Sequence, residues 1–171
     1  MLNKILSDIE KALENECWLS ALALTLTIPD ICGKAEYPCD KVTDRYKKWC
    51  AEYFSKYETD GEEPTMPYMN EELLYSLRNS FLHQGTPNVD IAKVKAECCK
   101  VDKFVLSIDD SPFIGGSSLI DYDKNNNISY REIEVNVIML CKKLVAVAKG
   151  YYRDNAEKFN FFDYTLTDRR Q

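Results

Sequence analysis

The sequence predicts a mainly α protein: four to five helices in a bundle, with a small β-hairpin or sheet excursion at about residues 101–130. Three observations predict it. Apolar residues recur at helical spacing in several separated stretches. The clearest of these, residues 70–85, is bracketed by an N-cap asparagine and a stop glycine. Between the helical stretches, the run Lys-Phe-Val-Leu-Ser-Ile at 103–108 and two short segments either side of Asp123-Lys124-Asn125-Asn126 carry strand and turn character.

With 171 residues, 45% of them hydrophobic and 12% aromatic, the chain has material for one substantial core, and one domain over 1–171 is expected. The net charge of −6 argues against a broad basic surface for duplex DNA and leaves room only for a local basic patch. The first ten residues mix charges into apolar positions, unlike a secretion signal. The most apolar run, 18–28, is too short to span a bilayer and carries two threonines. The expectation is a cytoplasmic protein without a membrane partner. Seven cysteines, an odd number with no Cys-x-x-Cys pair, read as reduced and mostly buried thiols. A zinc site would have to draw its ligands from scattered cysteines and one histidine, so no metal or cofactor is expected.

Residues 2–13 predict an amphipathic helix with Ile5, Ile9 and Leu13 on one stripe. Residues 18–28 alternate enough to allow a strand, but their Ala and Leu content favours a buried helix that Pro29 kinks or ends, with Asp30 at the break. Residues 31–35 allow another turn before Tyr37-Pro38. Asp40 or Thr43 caps the next helix, which runs to Tyr57. Its apolar stripe is Tyr46, Trp49, Cys50 and Phe54, and its other side holds Lys41, Arg45, Lys47, Lys48 and Lys56. A solvated face explains these cations more simply than a nucleic-acid contact does. Residues 58–67 are a loop, and 91–101 allow a short helix. The longest helix is expected over 132–158, with Ile133, Val137, Leu140, Leu144 and Val147 in register and Gly150 as a point of bending. The aromatic tail, 159–171, is expected to fold back on the bundle.

The helix at 70–85 carries the chemistry. At about 100° per residue, Leu73, Leu74, Leu77 and Phe81 share one side. Glu72, Ser76, Asn79 and His83, the only histidine, share the other, and Arg78 flanks the border. The segment Arg78-Asn79-Ser80-Phe81-Leu82-His83 resembles the Arg-x4–6-His signature of the HEPN superfamily, all-helical domains that include many prokaryotic ribonucleases. The motif fits at its shortest spacing, with Asn79 in the polar place after the arginine. Residues 22–33 also look like small uncharacterised bacterial proteins of this kind. The resemblance covers the helices and leaves the β excursion outside the family fold.

The resemblance implies an RNA-acting protein, a metal-independent endoribonuclease whose site is completed across a homodimer interface. A 2′-hydroxyl attacking the adjacent phosphate needs a base, an acid and a cation. An ordinary histidine titrates near a pKa of about 6.5 and suits the first two roles. Arginine suits the charged phosphorane. His83 is therefore the candidate acid or base, Arg78 the phosphate clamp and Asn79 the orienter, with Glu72 and Asp30 as supporting candidates. One histidine per chain supplies a base or an acid, and a two-fold dimer supplies both. The alternative is a non-catalytic module that binds a nucleotide or RNA, or serves as a regulatory partner; the resemblance also allows a protein partner or an antitoxin. Structural roles explain the same residues: His83 against the last helix carbonyls, Arg78 paired with Glu71 or a distant acid, and Glu71 and Glu72 at a helix N-terminus.

A second motif competes. Asp121, Asp123, Asn125 and Glu132, with Ile128 between, match most of an EF-hand calcium loop. Asn126 replaces the usual glycine, no entering helix precedes it and no second loop pairs with it. A hairpin turn explains the same residues.

Overall fold

The computed structural model describes residues 1–57, 69–89 and 101–170. Among these, six α-helices and three strands follow in the order α1 (Leu2–Glu14), α2 (Trp18–Thr25), α3 (Ile28–Glu36), α4 (Val42–Trp49), α5 (Glu71–Asn79), β1 (Lys103–Ser107), β2 (Gly115–Tyr122), β3 (Ile128–Asn136) and α6 (Val137–Asp154). The chain is mainly α, with a β excursion where one is expected. The loop at 58–67 and all of the 91–101 segment but Val101 lie outside the described residues.

The helices bury the stripes that their spacing predicts. Leu6 and Ile9 of α1, Leu22 of α2, Tyr46 and Trp49 of α4, Leu73 and Leu74 of α5 and Leu140 and Leu144 of α6 are all fully buried in one continuous cluster. Each such aliphatic side chain contributes about 1.5–3 kcal/mol through removal from water. α6 lies against α1, α2 and α3, and α3 lies against α4. Cys32, Cys50 and Cys141 are buried free thiols, whereas Cys17 and Cys39 are exposed. Among the described residues, no helix is long and apolar enough to cross a membrane.

Four expectations are corrected. Neither Asp40 nor Thr43 caps α4, which starts from Lys41 without a side-chain cap, and the helical run to Tyr57 winds as α only to Trp49 before a π turn, Cys50–Phe54, and a 3₁₀ turn, Ser55–Tyr57. Pro29 neither kinks nor ends the 18–28 helix. The break falls at Leu26 and Thr27, where the Thr27 hydroxyl donates to Leu24 O at 2.7 Å, and Pro29 stands in the first turn of α3. A first-turn N–H has no helical partner, so proline loses nothing there. The long C-terminal helix does not begin at Glu132. Residues 128–136 are strand β3, because Arg131, Ile133 and Val135 alternate as buried positions with half-buried Glu132 and Glu134 between them. β3 is the centre of the sheet, parallel to β1 from Lys103↔Glu132 to Ser107↔Asn136 and antiparallel to β2. Asn136 then turns the chain from strand to helix, its Oδ1 accepting from Met139 N at 3.1 Å as the N-cap of α6. Finally, α6 ends at Asp154 and gives way to a 3₁₀ turn, Ala156–Phe159.

The tail folds back in part. Phe159 is buried on the rings of Tyr152 (4.9 Å) and Tyr151 (5.9 Å), while Phe161, Tyr164 and Leu166 stay exposed. Tyr151 Oη and Lys158 Nζ both donate to Glu36 at 2.6 Å, tying the end of α6 to α3. Burial pushes the Glu36 carboxyl up, but these hydrogen bonds outweigh it and hold the group below its ordinary value.

Gly33 lies where α3 crosses α4, and a Cβ there would stand 2.6 Å from Arg45 O. Gly33→Ala would ordinarily stabilise a helix by about 1 kcal/mol; here it should lower the urea-unfolding free energy by about 1–3 kcal/mol. For Glu36, a carboxyl whose native pKa is depressed contributes stability above its unfolded pKa and loses it as pH falls through the native one. Urea melts of wild type and Glu36→Gln should therefore differ at neutral pH, and the difference should shrink as pH falls through and below the ordinary carboxylate range.

Candidate functional site

The segment 70–85 folds as its end signals predict, with one change of winding. Asn70 Oδ1 accepts from Leu73 N at 2.9 Å at the start, and Gly85 stops the helix in the left-handed region at φ 62°. Between them, α5 gives way after Asn79 to a π turn, Ser80–Gln84, closed by Gly85 N–H on Ser80 O. In continuous α-helix, side chains five residues apart stand roughly 140° apart around the axis. The wider i→i+5 winding returns the fifth residue toward the first. His83 is thereby carried round to Arg78, and Arg78 Nη1 reaches His83 Nε2 at 2.7 Å.

Arg78 is the centre of the cluster. Its Nε and Nη2 donate to Asp30 Oδ2 at 2.9 and 2.7 Å, and its Nη1 donates also to Asn79 Oδ1 at 3.0 Å. Both partners of the Arg78–Asp30 pair are largely shielded, with side chains 14% and 18% exposed. Asp30 arrives from the first turn of α3, one helix packed beside α4. Its other oxygen, Oδ1, is buried and takes no hydrogen bond among the described residues. A guanidinium has no acceptor atom. In the Arg78–His83 hydrogen bond His83 Nε2 is therefore the acceptor, and the tautomer that fits this geometry carries its ring proton on Nδ1. His83 itself is exposed.

Two tyrosines complete the setting. The Arg78 guanidinium stands 5.9 Å from the Tyr46 ring and 5.8 Å from the Tyr75 ring, within cation–π range of both. Tyr46 is fully buried, and that burial pushes its phenol well above its ordinary range, so the ring under Arg78 stays neutral. Tyr75 hydrogen-bonds Thr43 Oγ1 at 2.8 Å and carries Lys47 Nζ 5.2 Å from its ring. Tyr75 is legible after the fact, since it lies three residues before Arg78 on the same helix side. Tyr46 gave no such signal, because it arrives from another helix.

Of the sequence candidates, Arg78, Asn79, His83 and Asp30 come together. Glu72 does not join them: it pairs with Lys47 Nζ at 2.5 Å on the α4 side. Arg78 takes Asp30 as its acid and not Glu71. The calcium-loop candidates separate as well. Asp123 caps its own turn, accepting from Asn125 N (2.8 Å) and Asn127 N (2.9 Å), and the bonds from Asn127 pull its carboxyl below the ordinary range. Asn126 takes the left-handed conformation at φ 63°. Asp121 is a β2 residue opposite Tyr130, and Glu132 accepts from Lys103 and Ser118, both at 2.9 Å. The segment is a hairpin whose closing carboxylate is spent inside the sheet. Among the described residues, no group of three or more His, Cys, Asp or Glu could hold a metal ion.

Comparison of the chain with protein-family models, curated proteins and solved structures gives no match.

A double-mutant cycle measures the anchor. Asp30 and Arg78 should couple by more than about 1 kcal/mol, as shielded pairs do. The exposed pair Lys149–Glu10, at 2.5 Å, should couple by less than about 1 kcal/mol.

Proposed function

We propose that this chain is a HEPN-like, RNA-acting protein that cuts RNA without a metal, and that its site is completed by a second copy in a homodimer. The observation that carries the reading is the 2.7 Å contact between Arg78 Nη1 and His83 Nε2, made on an arginine that Asp30 holds from behind. This contact supplies a cation and a proton acceptor at one point of the surface, as in-line attack by a 2′-hydroxyl requires. The incoming phosphate replaces the imidazole at Nη1. His83 Nε2, released, takes the 2′-hydroxyl proton while the 2′-oxygen bonds to phosphorus. Arg78 stabilises the phosphorane, and Asn79 holds the guanidinium or the phosphate. The bond from phosphorus to the 5′-oxygen breaks, and that oxygen takes a proton from the imidazolium of a second copy of His83. The products are a 2′,3′-cyclic phosphate and a 5′-hydroxyl end.

A second reading draws on a different count. Four of the five Arg78 N–H groups are already used within the chain, on Asp30, Asn79 and His83. A site so fully satisfied suits a module that holds a nucleotide or RNA end without cutting it.

Incubation with total RNA in excess EDTA separates the two. Under the first reading, wild type cleaves, and His83→Ala and Arg78→Ala each slow cleavage by at least about 100-fold. The product ends are cyclic phosphates, and light scattering gives a dimer mass at micromolar concentration. Cleavage that survives both substitutions, or a strict monomer that cuts, overturns it. Binding without cleavage by wild type establishes the second reading.

A further inference from the structure

The terminal turn of α5 has a second side. Opposite the polar cluster lies a cavity of about 250 Å³ lined by Leu77, Ser80, Phe81, Thr86, Phe104 and Leu106, with Gly85 and Pro87 at its edge. Leu77, Ser80 and Phe104 are buried and form its floor, while Gly85 and Pro87 are exposed at the rim. Its chemistry is specific. Two phenylalanine rings, Phe81 and Phe104, come from the π turn and from β1. Two hydroxyls accompany them. Ser80 Oγ donates to Leu77 O at 3.0 Å and, among the described residues, accepts no hydrogen bond. Thr86 Oγ1 accepts from Asn88 N at 3.2 Å and keeps its proton to donate. An aromatic-walled, mainly apolar space with the Ser80 and Thr86 residues in its lining, below the usual volume of a drug-sized site, suits a single planar heterocycle.

One residue without a side chain lies between the His83 turn and the rest of the cavity's lining. Gly85 links them in the chain, and a Cβ built on it would meet nothing within 4 Å. Gly85 itself therefore places no side chain across the end of the helix. Its left-handed φ of 62° also keeps most residues from that position.

We propose that this cavity is a nucleobase subsite: with a phosphate at Arg78 and His83, the base of an adjoining ribonucleotide crosses Gly85 and seats between Phe81 and Phe104. The inference rests on the RNA reading above and deepens it. Single-stranded RNA is held in this way elsewhere, by bases splayed onto aromatic rings and hydrogen-bonded at their edges. An acidic protein gains from it, because stacking on uncharged rings attracts RNA without a basic surface.

The test uses the full chain and two fluorescent probes: a short mixed-sequence oligoribonucleotide and the same ribose-phosphate backbone stripped of its bases. Fluorescence anisotropy reads affinity, and methyl NMR reads Leu77 and Leu106. The base-bearing probe should bind at least about 10-fold tighter than the abasic one. It alone should shift the Leu77 and Leu106 methyl signals through ring currents. Thr86→Val and Gly85→Asn should each weaken the base-bearing probe several-fold and leave the abasic probe unchanged; asparagine is chosen because it tolerates left-handed backbone. The thermal melts of both variants should match wild type to within a few degrees. A variant that melts early is set aside, and the wild-type comparison of the two probes decides alone. Equal affinity for the two probes, with the methyl signals unmoved, overturns the subsite and leaves the RNA reading standing. Failure of wild type to bind either probe overturns both.

Discussion

A guanidinium placed among helices has to be satisfied on every side, and Arg78 meets that demand with groups from distant parts of the chain. Asp30 takes two of its donors from α3, Asn79 and His83 take two more from its own helix, and the rings of Tyr46 and Tyr75 face it from α4 and α5. Removing a charge from water is costly unless a partner and hydrogen bonds replace the solvent. Once Arg78 is 14% exposed, its neighbours are no longer free to choose other positions. The first turn of α3, the end of α5 and the buried face of α4 are all held by one side chain. Asp30 Oδ1 is left buried without a hydrogen bond among the described residues.

The remainder of the fold positions this cluster by fixing where helices begin and stop. Asn70 starts α5, Gly85 ends it, and the π turn between them sets the angle at which His83 leaves the axis. Gly33 lets α3 approach the backbone of α4, which brings Asp30 within reach of α5. On the far side of the π turn, β1 supplies Phe104 and Leu106 and is itself held by parallel pairing with β3. The strand-to-helix turn at Asn136 couples that sheet to α6, the helix against which α1, α2 and α3 lie. The β excursion thus adds a wall to the turn that carries His83.

Local signals were legible at most positions where a residue acts within a turn or two of itself, though neither Asp40 nor Thr43 caps α4. The cap at Asn70, the stop at Gly85, the apolar stripe of α4 and the left-handed Asn126 all follow from side-chain chemistry and backbone preference at those positions. Signals that depend on a neighbouring element were misread. Ile133 and Val137 sit four apart and satisfy a helical template, yet Ile133 is a strand residue because β1 and β2 pair on either side of it. Pro29 looks like a terminator until the break two residues earlier makes it a first-turn residue. Glu72 shares a helix side with His83 by angle, but Lys47 arrives from α4 and takes it. The Asp121 to Glu132 spacing also fits a calcium loop, but there the hairpin expectation holds, because β2 and β3 pair across the turn and Glu132 turns to Lys103.

By itself, then, the sequence determined a mainly helical chain, the limits of its central helix and the presence on it of one arginine and one histidine five residues apart. These are properties of neighbouring residues, and periodicity and capping report them directly. Only the tertiary structure decided that the two side chains touch, because their separation depends on whether the turn between them winds as α or π. It alone decided that Asp30, 48 residues away, holds the arginine, since no local preference records which helix will pack beside another. And it alone opened a cavity behind the same turn, because that space exists only where Phe81 and Phe104, remote in the chain, approach without closing.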